Sequence, residues 1–143
     1  MGKTKVLFIC THNSARSQMA EAFLNHLGGE RFRAWSAGTE PGHVHPLAVE
    51  VMAEIGLDIT SQRAKSVDRF LGHPFNYVST VCDRARESCP VFPHAARHLH
   101  WDLPDPSQAE GSHEERLATF RWVRDQVREH VRALIDGAFG PNQ

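Results

Sequence analysis

Cys10 and Arg16 are separated by five small or polar residues, "THNSA", and this short stretch holds the densest chemistry in the chain. An apolar run, Val6 to Ile9, stops at the cysteine, and a helical pattern begins at Arg16 and Ser17. A helix N-terminus presents unpaired N–H groups and a partial positive charge, which together bind an anion. A loop this short can curl so that the amides of Thr11, His12, Asn13, Ser14, Ala15, Arg16 and Ser17 point inward as a nest. Arg16 adds a planar fork matched to a tetrahedral oxyanion, and the same field favours the thiolate of Cys10. Nucleophile and anionic target are then held by one device. The loop lacks the paired glycines and the Lys-Ser/Thr of a nucleotide-binding loop. Asn13 is expected to brace it, because asparagine tolerates unusual backbone angles and bonds to neighbouring backbone. Ser17 is read as capping the following helix, with a hydrogen bond to the Cys10 thiolate as the alternative. A cysteine and arginine at this spacing also arise by chance, as a core thiol and a surface cation. Their position between a buried strand and an amphipathic helix favours the chemical reading.

That loop needs a frame. Val6 to Ile9 suits a strand buried on both faces of a parallel sheet. Met19, Ala20, Phe23, Leu24 and Leu27 recur at helical spacing until Gly28 and Gly29 close the segment. "RFRAW" alternates like an edge strand ending at Gly38. Pro46 opens a second helix that Gly56 caps. "NYVSTVC" reads as another central strand, "RHLHW" as an alternating one, and Leu117 to Leu134 as a long amphipathic helix. Strands separated by helices imply parallel pairing in a small three-layer α/β domain. Ligands of such sheets bind beyond the carboxyl ends of the central strands. Cys10 ends one such strand and Cys82 another, so both thiols are expected to face one crevice.

Composition sets the outer bounds. The 143 residues suit one domain, 1–143, able to bury its own core. Sixteen cationic and seventeen acidic residues are interspersed, and the net charge of -1 points to neither a nucleic-acid nor a membrane partner. No apolar run approaches a membrane span, and "MGKTKVLFIC" lacks the apolar stretch of a signal peptide, so a cytoplasmic address is expected. In a reducing compartment three cysteines are free thiols rather than a structural disulfide framework. His94 and His98 stand at a zinc-like spacing among ten histidines. "RHLHW" nevertheless alternates as a strand, and no Cys-x-x-Cys pair accompanies it, so no metal is assigned.

On "CTHNSARSQMAEAF", the pair Cys82 and Cys89 in "VCDRARESCP", "HWDLPDP" and "FRWVRDQVRE", the chain resembles the thioredoxin-coupled arsenate reductases built on the low-molecular-weight tyrosine phosphatase fold. The resemblance implies a three-layer sandwich around a four-stranded parallel sheet of order 2-1-3-4. It also implies arsenate as substrate, a monomer, and no bound cofactor. Cys10 would attack arsenate and Asp105 would serve as general acid, with Asp102 as a nearby decoy. Asp before Pro106 is also a common turn former. Cys82 would displace arsenite to give a Cys10–Cys82 disulfide, and Cys89 would pass that disulfide to thioredoxin, itself recycled by its reductase. Glutaredoxin- and mycothiol-linked donors stay open. Some relatives bind potassium beside the loop through Asn, Glu, Ser and Asp. Asn13, Glu21 and Ser36 match three of these, and Lys65 stands in the fourth place as a possible built-in cation, with an ordinary exposed lysine as the alternative. His12 and Ala15 replace a glycine and a cysteine of some relatives, while Gln18 and Ser107 depart from the phosphatase pattern. Two alternatives remain: a low-molecular-weight tyrosine phosphatase, and a metalloid- or metal-binding sensor.

Overall fold

The computed structural model describes residues 2–82, 92 and 95–137. Cys89, the third thiol of the expected relay, and His94 lie outside the described residues.

The apolar run forms β1 (Thr4–Cys10), and Val6, Leu7, Phe8, Ile9 and Cys10 are all buried. Successive side chains of a strand point to opposite faces, so this unbroken burial means that both faces of β1 are covered. There follow α1 (Arg16–Leu27), β2 (Phe32–Gly38) and α2 (Pro46–Glu54). Next come β3 (Tyr77–Thr80), β4 (Arg97–His100) and α3 (His113–Ile135). The sheet runs β2-β1-β3-β4 with every neighbouring pair parallel, the order that the motifs implied.

β3 is shorter than "NYVSTVC" suggested, for it ends at Thr80. The chain does not leave the sheet at once. Val81 N–H still donates to the Ile9 carbonyl at 2.9 Å, which carries Cys82 to the level of the loop after β1. At the other end of the site, Trp101 follows β4 and is fully buried. Its ring packs 5.2 Å from Phe8 and stacks 5.0 Å from His130 of α3. That anchor fixes the start of the segment that bears Asp105.

α3 packs against both α1 and α2, with Leu117, Phe120, Val123, Val127, Val131 and Leu134 buried. Its first turn is closed by a reciprocal pair of bonds between Ser112 and Glu115. Among the described residues no helix is long and apolar enough to cross a membrane.

Candidate active site

The loop from Cys10 to Arg16 joins the last residue of β1 to the first of α1. Ala15 occupies the position before the helix and offers no side-chain cap. The first amides of α1 therefore have no capping oxygen of their own, which is the condition for binding an outside anion. Ser17 lies within the helix, so the capping expectation is corrected. Its hydroxyl stands 2.8 Å from Cys10 Sγ and accepts from Asn13 Nδ2 at 2.8 Å. The helix starts two residues earlier than a Ser17 cap requires, and this turns the hydroxyl inward.

Asn13 braces the loop as expected. It is the only non-glycine with positive φ among the described residues, at 53°. Its N–H donates to Cys10 Sγ at 3.2 Å, and its Oδ1 accepts from Lys65 N–H at 2.9 Å. Around the outside runs a strap, residues 39–45. Thr39, Glu40, Gly42 and His45 donate their N–H groups to the carbonyls of Cys10, Thr11, His12 and Ser14, at 3.2, 2.8, 2.9 and 2.9 Å. In a trans peptide the N–H points opposite to the C=O. Drawing these carbonyls outward turns the amides of Thr11, His12, Asn13 and Ala15 inward, towards the thiol. The enclosed pocket, about 40 Å³ and lined by Cys10, His12, Ser14, Ala15, Arg16, Asp105 and Ser107, suits a group of a few heavy atoms.

Arg16 is buried and held from the opposite side, where Nη1 donates to the Leu103 carbonyl at 2.9 Å. Its Nη2 lies 3.8 Å from Asp105 Oδ2. Asp105 forms the turn that the sequence suggested, and it also borders the Cys10 pocket. Oδ1 accepts from the Ser107 N–H at 2.9 Å and hydroxyl at 2.7 Å, capping the short turn Pro106–Gln108, while Oδ2 faces Arg16. Burial is the largest single influence on this carboxyl and pushes its pKa up. The Ser107 bonds and Arg16 together outweigh it, leaving the pKa below the ordinary value. Cys82 is a buried free thiol, with Thr11 Oγ1 at 3.5 Å from its sulfur. It opens into a cleft shared with His12, Arg16 and Asp105, and Asp102 borders that cleft without reaching the Cys10 pocket. The two thiols line neighbouring openings that share His12, Arg16 and Asp105, rather than the one crevice expected.

The loop-supporting group also assembles. Ser36 Oγ donates to Glu21 Oε1 at 2.7 Å, Lys65 Nζ stands 3.8 Å from the same oxygen, and Nζ donates to the Arg63 carbonyl at 2.7 Å. The Lys65 side chain is only 16% exposed, which removes the reading as an ordinary surface lysine. Burial pushes its pKa below the usual lysine value, and Glu21 pulls it only part of the way back.

Three contributors had no sequence reading as parts of the site. Gln18 is fully buried and its Nε2 donates to the carbonyls of Asn13 and Arg63, both at 2.9 Å. A polar residue beside Met19 on a buried helix face was the available signal. A Cβ on Gly38 would stand 2.7 Å from the Thr11 carbonyl oxygen, so glycine lets β2 end against the loop. His45 caps α2 by accepting from Leu47 N–H at 3.0 Å while its own N–H holds the strap to Ser14. Among the described residues no group of three or more histidine, cysteine or acidic side chains could hold a metal ion. His98 is exposed and His100 Nδ1 pairs with Thr80 Oγ1 at 2.7 Å.

The model of the low molecular weight phosphotyrosine protein phosphatase family matches residues 5–139. An arsenate reductase of Halalkalibacterium halodurans is 39% identical over 136 residues, covering 95% of this chain and 98% of that protein. A solved arsenate reductase in its oxidized state gives a TM-score of 0.80 at 34% identity, covering 93% of this chain and 97% of that one. The thioredoxin-dependent arsenate reductase of Corynebacterium glutamicum gives 0.67 at 30% identity, covering 95% of this chain and 63% of that one. With likeness over almost its whole length, the chain belongs to the arsenate reductases of the low molecular weight phosphotyrosine protein phosphatase family.

Proposed function

We propose that this protein reduces arsenate to arsenite with Cys10 as nucleophile and Cys82 as resolving thiol, and that thioredoxin restores the thiols. The observation that carries the reading is the second buried thiol, Cys82, whose cleft shares His12, Arg16 and Asp105 with the pocket of the first. A phosphatase of this fold needs only one.

Cys10 attacks arsenic while the loop amides and Arg16 hold the oxyanion. One oxygen leaves as water. A thiol and the dihydrogen arsenate monoanion thus give a singly charged adduct, in which the Cys10 sulfur has replaced one arsenate oxygen. Asp105 supplies the leaving oxygen's proton. In the free protein its low pKa keeps it ionised. A bound oxyanion raises the proton affinity of a neighbouring carboxylate, so substrate charges its own acid. Cys82 then attacks Cys10 Sγ, arsenite departs, and Cys89 takes over the disulfide for the external donor by ordinary thiolate exchange. A cytoplasmic site of action accords with the need for a reducing environment.

The test is arsenite formation in a coupled assay that compares thioredoxin, glutaredoxin with glutathione, and small thiols as donors. Multiple turnovers with reduced thioredoxin are expected. Turnover with glutaredoxin alone would move the donor to another system, and no arsenite with any donor would remove the activity. Slow phosphoester hydrolysis is the expected side reaction, because phosphate and arsenate are nearly isosteric and share the first step.

Lys65 completes this reading as a built-in cation among the oxygens of Glu21 and Arg63. Exchanging potassium for sodium at fixed ionic strength is expected to alter neither the melting temperature nor kcat. Lys65→Ala is expected to lower stability by roughly 1–3 kcal/mol, because it leaves Glu21 beside Ser36 without its ammonium. A potassium-specific activation of the unmodified protein would contradict this.

A further inference from the structure

The Cys10 pocket and the cleft over Cys82 share three side chains: His12, Arg16 and Asp105. The second chemical step needs something that spans those two openings. The Cys82 thiol and the singly charged Cys10 adduct give the Cys10–Cys82 disulfide and the dihydrogen arsenite monoanion. The S–As bond breaks and its electron pair goes to arsenic, which falls from the +5 to the +3 state while the two sulfurs are oxidised. The thiol proton must end on an arsenite oxygen. Cys82 is only 5% exposed, and its one hydrogen-bond partner among the described residues, the Thr11 hydroxyl, has no ready capacity for an extra proton.

Of the three shared side chains, Arg16 never gives up its proton in use, and Asp105 is an ionised carboxylate beside it. His12 differs in kind. Its Nδ1 lies 2.9 Å from the Glu40 carbonyl oxygen. A carbonyl only accepts, so Nδ1 carries the hydrogen, and the lone pair of the neutral ring sits on Nε2, the edge away from Glu40. Among side-chain bases imidazole lies nearest a thiol in proton affinity, about two units below it against more than four for a carboxylate.

We propose that His12 carries the proton of the second step, taking it from the Cys82 thiol and delivering it to the departing arsenite. The inference rests on the two-thiol reading above. Arg16 from α1 and Asp105 from the segment after β4 border both openings, Cys10 borders the first alone, and Asp102 and Cys82 border the second alone. On the strap side His12 meets the Glu40 backbone and Gly42, beyond which His43 lines a separate cleft. The bond to Glu40 thus fixes the tautomer of the ring, and His12 lines both openings.

Rapid-quench alkylation after mixing reduced protein with arsenate measures the rate of Cys10–Cys82 disulfide formation. In the unmodified protein that rate is expected to fall on the acid side, where the carrier is already protonated. His12→Gln should slow the step by about 100-fold and flatten the acid limb. The loss should appear in kcat rather than in KM for arsenate, and added imidazole should restore part of the rate. His12→Asn, whose shorter amide can keep a bond to the strap, should lose the step equally. A rate within twofold of normal in His12→Gln, recovery in His12→Asn, or a loss confined to KM would overturn the proposal. If the unmodified protein forms no Cys10–Cys82 disulfide at all, the two-thiol reading fails, which is a different result from a normal disulfide rate in His12→Gln.

Discussion

Cys10→Ser is expected to abolish arsenate reduction and phosphoester hydrolysis together, each by roughly 10⁴-fold or more. Both reactions begin at the same sulfur, and a serine hydroxyl lacks the thiolate's nucleophilicity at neutral pH. Folding should survive. Cys10 Sγ contacts Ser17 Oγ and the Asn13 N–H, and a hydroxyl can serve the same two partners. Parallel assays of arsenite release and of aryl phosphate hydrolysis decide the matter, with a thermal melt as the control for structure. If either activity stayed near that of the unmodified protein, Cys10 would not be the nucleophile.

Cys82→Ser should separate the two reactions. Reduction is expected to stop at the level of Cys10→Ser, because no second sulfur is present to displace arsenite. Hydrolysis of an aryl phosphate should continue within a few-fold of normal, since water resolves a phosphoryl adduct. The substituted hydroxyl keeps a partner in Thr11 Oγ1, so the fold has little reason to change. Equal loss of both activities would instead make Cys82 a support of the loop.

The parts of this site that the sequence made legible are those carried by local pattern. The unbroken apolar run of β1, the small polar loop and the helical spacing of Met19 and Phe23 lie within one stretch, and together they located Cys10 and Arg16. Strand order came from the motif resemblance, not from periodicity. Contacts between distant residues were harder to read. The strap was hidden because its bonds are backbone N–H groups to backbone carbonyls, which leave no side-chain signature. Gly38 matters only because β2 runs beside the loop, a tertiary fact. The Ser17 expectation failed for a related reason. Capping preferences describe a helix alone, whereas here the Cys10 sulfur and the Asn13 amide compete for the hydroxyl from the neighbouring turn. Lys65 was placed by matching positions, and its burial against Glu21 and Arg63 depended on the packing of the 57–66 segment.

The most direct measurement is a single turnover of Cys89→Ser with one equivalent of arsenate, followed by alkylation and peptide mapping by mass spectrometry. One equivalent of arsenite per protein is expected, with a disulfide joining Cys10 to Cys82 and no further turnover when thioredoxin is added. Arsenite released with both thiols still open to alkylation, or sustained turnover of this variant with thioredoxin, would contradict the relay.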